Sequence, residues 1–144
     1  MPDSGERVFI SFSNADRAFA RQLGALIQAR GVSVTTNEAT AARDRLIDDT
    51  LRHAIERATA LVLLIPSQHV SDRNITWFEA GAAKALGKPV LAVLPPLRDA
   101  GSTELPTDLA GLLVLDADRR SLDSIADTLV QAMPEQDVHV FAAQ

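Results

Sequence analysis

The chain has 144 residues, 47% hydrophobic and 23% charged, a length and balance that suit one globular domain with a real core. A net charge of −5 excludes broad electrostatic attraction to nucleic acid or anionic membrane. The absence of Cys excludes disulfides, thiolate metal sites and a cysteine nucleophile, and suits a reducing, cytoplasmic setting.

Taken in chain order, residues 7–12 (RVFISF) read as a strand. Ser13 then opens "SNAD", a Ser-x-x-Asp arrangement suited to a helix N-cap. Phe19, Leu23, Leu26 and Ile27 follow at helical spacing, and Gly31 is a stop. Residues 32–36 (VSVTT) form a second strand, and residues 37–44 a polar, Ala-rich loop. A helix is expected over 46–58, then a continuous apolar strand over 60–65, the pattern of a strand buried on both faces. Residues 66–73 connect to a helix over 74–86, which Gly87 stops. A buried strand over 89–94, a Pro/Gly-containing loop over 95–106, a short strand over 112–115 and an amphipathic helix over 121–133 complete the pattern. The domain is expected to span 1–134, with 135–144 a tail or linker. The longest apolar run, residues 60–66, is far too short for a bilayer, and no basic flank followed by a long apolar run marks a signal peptide. The three His lie far apart, so no metal site is expected.

Strands alternating with helices imply right-handed βαβ units. The fold expected is α/β: a flavodoxin-like, doubly wound, five-stranded parallel sheet of order 2-1-3-4-5, with helices on both faces. In that order ligands bind beyond the carboxyl ends of strands 1 and 3, where the chain changes direction. Residues 11–14 and 66–71 fall there, and the helix carrying Glu79 follows strand 3. Glu79 lies beside the apolar face formed by Ile75, Phe78, Ala82 and Ala85 rather than opposite it. Most Glu residues on helices are simply solvated. The small residues Gly81, Ala82 and Ala83 allow either close packing on the sheet or close approach of a ligand. Trp77, the sole Trp, reads equally as a packing aromatic or a stacking platform. Phe12 and Ser13 read as strand end and cap, or as pocket wall and hydrogen-bonding group. Arg43, Asp44 and Arg45 are a solvated loop or a flap. Neither phosphate-cradling glycine motif is present, nor a G-x-S-x-G elbow, nor the acidic pair after strand 1 that response regulators need.

The stretches "VFISFSNADRAFARQLGALIQARGVSV", "LRHAIERATALVLLIPSQHVS" and "WFEAGAAKALGKPVLAVL" together resemble a TIR (Toll/interleukin-1 receptor homology) domain of bacterial type, over residues 7–94. The resemblance implies that Glu79, eight residues before Gly87, is the catalytic residue of an NAD+ glycohydrolase. It matches residues 37–44 to the family's BB loop, which covers the active site and contributes to assembly. Phe12, Ser13, Asn14 and Trp77 are the substrate contacts expected, with Asp44 from the loop. Two positions depart from the pattern: Asp44 stands about where the loop usually has Gly, and Ile75 stands four residues before Glu79 where many members carry Trp. One carboxylate suffices for this chemistry. The nicotinamide of NAD+ is already cationic and leaves as a neutral base, so the second carboxyl of ordinary glycosidases is not needed. NAD+ would be a substrate and no cofactor is required. Self-association, a fused sensor domain and a role in immunity or as a toxin follow from the resemblance. Two rivals stand beside it: a noncatalytic scaffold that binds other TIR domains, and a nucleoside deoxyribosyltransferase-like enzyme, whose E-x-G-x-A pattern is echoed in Glu79, Gly81 and Ala83.

Overall fold

The computed structural model describes residues 7–36, 49–67, 73–96, 112 and 114–133, with residues 49–52 and 73–75 described by backbone alone. Five strands, β1 (Arg7–Ser11), β2 (Ser33–Thr36), β3 (Ala60–Leu64), β4 (Val90–Leu94) and β5 (Val114–Asp116), form one sheet of order β2-β1-β3-β4-β5. Every neighbouring pair is parallel. Among the described residues the α-helices are α1 (Arg17–Gln28), α2 (Asp49–Arg57), α3 (Arg73–Ala85) and α4 (Leu122–Ala132).

Side-chain alternation along the strands divides the core into two layers. Val8, Ile10, Val62 and Leu64 point to one face, where they pack with Leu23 and Ile27 of α1 and Ile125 and Leu129 of α4. Phe9, Leu61 and Leu63 point to the other, against Ile55 of α2 and Ala80 and Ala83 of α3. Each residue of β3 is buried, which explains why its sequence shows no polar alternation. Gly24 lets α1 lie close to the sheet: a Cβ there would sit 3.4 Å from Val34 Cγ1 and 3.7 Å from Ile10 Cδ1.

The entry to the first helix differs from the cap expected at Ser13. The chain makes a 3-10 turn over Asn14–Asp16 before α1 begins, and the Ser13 side chain caps no backbone N–H. Its carbonyl accepts from the Asp16 N–H at 2.9 Å, while its hydroxyl faces the Asp16 carboxylate at 3.4 Å. The tighter turn brings Asp16 under the hydroxyl and turns it away from the amides a cap would serve. At the other end of the chain, α4 has the cap that sequence logic prescribes: Ser121 Oγ accepts from Ser124 N–H at 3.1 Å. The last strand also shifts, to Val114–Asp116, two residues later than its apolar run suggests at the start. No helix among the described residues is long and apolar enough to cross a membrane.

Candidate active site

Ser11 closes β1 at the carboxyl edge of the sheet. It follows Phe9 by two residues, so it shares the face that carries α2 and α3. As the crossover between parallel β3 and β4, α3 runs antiparallel to the strands and brings its N-terminal half to that same edge. Glu79 lies in the middle of α3 and is 2% exposed. The Ser11 hydroxyl, itself wholly buried, donates to Glu79 Oε1 at 2.5 Å. The bond satisfies the buried hydroxyl and orients one carboxyl oxygen. It ties β1 to α3 across 68 residues of sequence, beside the point where the chain order reverses between β1 and β3.

One turn nearer the sheet edge on α3, Thr76 is fully buried and its Oγ1 has no hydrogen-bond partner among the described residues. A buried hydroxyl left unpaired costs about 1–3 kcal/mol. Thr76 and Glu79 are three residues apart and so lie on adjacent parts of one helix face. This face of α3 thus carries a carboxylate oriented by Ser11 and, one turn away, a buried hydroxyl with no partner among the described residues. Among the described residues, no group of His, Cys, Asp and Glu is arranged to hold a metal ion.

The residues expected from sequence are placed differently from one another. Ser13 is buried and lies two residues past Ser11, facing Asp16, itself 7% exposed. Asn14 is exposed, and its Oδ1 accepts from the Arg17 guanidinium. Phe12 is buried in the opposite layer, with α1 and α4, away from the Glu79 face. Trp77 is partly buried and packs against the apolar clusters formed by Leu61, Leu63, Ile65, Ala92 and Leu94. Two residues round a helix from Glu79 amounts to about 200°, so the indole and the carboxylate leave α3 on different sides. Asp44 lies outside the described residues, as does the rest of the 37–44 loop.

The small residues after Glu79 also separate into two groups. Ala80 and Ala83 are wholly buried and let α3 approach the sheet. Gly81 faces away, with none of the described residues within 4 Å of where its Cβ would be. Sequence reasoning placed Ser11 at the switch point with residues 12–14 but did not pair it with Glu79, and it did not single out Thr76. For Ser11 the usable signal was strand alternation, which puts positions 9 and 11 on the face of the Glu79 helix. For Thr76 it was the three-residue spacing to Glu79.

A TIR domain family model matches residues 8–132. Among solved structures, the chain resembles the crystal structure of the RPS4 and RRS1 TIR domain heterodimer, with a TM-score of 0.60 and 18% identity. That similarity covers 88% of this chain and 94% of the other. No curated protein matches the chain significantly. With the family model spanning nearly the whole folded region and the sheet in the order 2-1-3-4-5, the chain belongs to the TIR domain family.

Proposed function

We propose that this TIR domain is an NAD+ glycohydrolase in which Glu79 is the catalytic residue. The observation that supports the reading is a carboxylate buried to 2% exposure, held by the Ser11 hydroxyl at 2.5 Å beside the β1/β3 switch point. Burying an ionisable group is costly, and buried ionisable groups in clefts concentrate where chemistry needs them. The reaction breaks the bond between the nicotinamide nitrogen and the ribose C1′, and the bonding pair leaves with the neutral base. Positive charge then develops on the ribose, where Glu79 stabilises it and accepts hydrogen bonds from the ribose hydroxyls. Water adds at C1′ and releases a proton to give ADP-ribose; attack by the adenine of the same molecule gives a cyclic product instead. Ser11 fixes the rotation of the carboxylate before substrate arrives, which lowers the reorganisation needed at the transition state.

The near-complete burial of Glu79 in a single chain fits an enzyme that is poorly active when dilute and is opened or completed by self-association. A noncatalytic TIR–TIR scaffold is favoured by a different observation. Phe78 is 48% exposed and Leu86 39% exposed on the outer side of α3, a surface suited to a partner. The two readings separate in one assay. Purified chain, at high concentration and with a crowding agent, is incubated with NAD+ and separately with deoxynucleosides, and free nicotinamide or base is followed. Nicotinamide release that Glu79→Gln abolishes is expected. Release that survives Glu79→Gln sinks the catalytic assignment. Absence of release across the whole concentration range favours the scaffold, and base release from deoxynucleosides alone favours the deoxyribosyltransferase-like rival.

A further inference from the structure

At the opposite end of the sheet from Ser11, a cavity of about 430 Å³ opens between the starts of β1 and β2 and the last turns of α2. Its origin is legible in the side chains. Ala54 of α2 and Ala58, the residue just past its end, face Phe9 and Thr35, which are paired across β1 and β2. Methyl side chains do not fill the gap between that helix and the sheet, and β2 is an edge strand whose Thr35 is exposed on this side. The adjoining ridge of α2 carries His53 and Arg57, again four residues apart, and both line the cavity. Arg7 joins them from β1. Its N–H donates to Thr59 Oγ1 at 3.1 Å and its carbonyl accepts from the Thr59 N–H at 2.7 Å, which pins the end of α2 beside the first residue of β1.

The charge balance of this cavity is one-sided. Two guanidinium groups and an imidazole line it, together with the Thr35 hydroxyl, in a protein whose net charge is −5. Among the described residues no carboxylate lines it, and none supplies an acceptor to the side chains of Arg7, His53 or Arg57. Like charges gathered without a counter-charge repel one another, and a bound anion relieves that repulsion. Guanidinium forks suit the paired oxygens of phosphate, and the floor of Phe9, Ala54 and Ala58 suits an apolar body. The volume falls within the roughly 300–1,000 Å³ typical of small-molecule sites. We propose that this cavity is a second ligand site, distinct from the Glu79 crevice, for a small phosphate-bearing molecule of nucleotide size, with Arg7 and Arg57 as its anion contacts. The proposal stands on the cavity alone and does not depend on the NAD+ reaction.

The test uses the whole chain and four probes: inorganic phosphate, pyrophosphate, ADP and adenosine. Calorimetry measures affinity, and amide chemical shifts on Thr35, Arg57 and Ala58 locate the binding. ADP and pyrophosphate are expected to bind, with shifts confined to those residues and affinity falling as salt rises from about 50 mM to about 300 mM. Arg57→Ala and Arg7→Ala each weaken binding by about tenfold or more. Both arginines are exposed, so neither substitution threatens the fold. Stronger binding of ADP than of pyrophosphate supports a nucleotide; equal binding supports the phosphate-bearing class without a base contact. Adenosine binding as tightly as ADP, affinity indifferent to both arginine substitutions, or no binding of any probe overturns the proposal. Absence of nicotinamide release from the parent chain, with this binding intact, counts only against the catalytic reading.

Discussion

Replacing Gly81 by Ala separates two explanations for the small residues that follow Glu79. Gly81 lies inside α3, where glycine costs about 1 kcal/mol relative to alanine through the backbone freedom it loses on folding. A Cβ built there meets none of the described residues within 4 Å, so the methyl group adds no clash with them. The expected gain is therefore most of the propensity difference, about 0.5–1 kcal/mol. For a chain of this size that corresponds to a rise in Tm of about 2–4 °C. Gly87 is the internal control. It terminates α3 at φ +78, and the Lys88 N–H bonds the Ala83 carbonyl at 2.9 Å across it, so alanine there is forced into the left-handed region. Gly87→Ala should lose about 1–2 kcal/mol. Urea denaturation of the two variants beside the parent measures both values. A Gly81→Ala variant that is destabilised refutes the view that this face of α3 is open. Nicotinamide release that falls in a stabilised Gly81→Ala variant would instead indicate that a ligand approaches the backbone there.

Thr76→Val removes the unpaired buried hydroxyl while keeping its shape, and should raise stability by about 1–2 kcal/mol in the same denaturation assay; a lower midpoint would show that the hydroxyl has a partner in solution. Ser11→Ala takes the hydroxyl from Glu79 and should cost about 1.5–3 kcal/mol, and markedly less when made in a Glu79→Gln background. Equal costs in the two backgrounds would mean that the short contact contributes nothing. Leu63→Ala, in the wholly buried β3, should cost about 2–5 kcal/mol through the cavity it leaves, seen as a large drop in Tm; a loss below that range would mean the layers under α2 and α3 collapse to fill it.

The sequence alone determined the architecture because periodicity survives without tertiary information. The apolar runs of β3 and β4 and the 3.6-residue spacing of the helices indicated a parallel sheet, and the order 2-1-3-4-5 brought Glu79 to the carboxyl edge of strands 1 and 3. The TIR motifs were likewise legible, since they are local strings with fixed spacing. Pairings between distant residues were not. That Ser11 rather than Ser13 meets Glu79 depends on which face of β1 lies under α3, and the 3-10 turn that deprives Ser13 of its capping role depends on how the chain leaves the strand. Phe12 and Trp77 were ambiguous for the same reason: an aromatic at a sheet edge looks alike in sequence whether it enters the core or faces a ligand, and packing set both among apolar neighbours. The cavity beside Arg7 and Arg57 had no signal in the sequence at all. It arises because Ala54 of α2 and Ala58 just past its end stand opposite Phe9 and the edge strand β2, and only the assembled layers decide whether small side chains bring backbones together, as at Ala80 and Ala83, or leave a space between them.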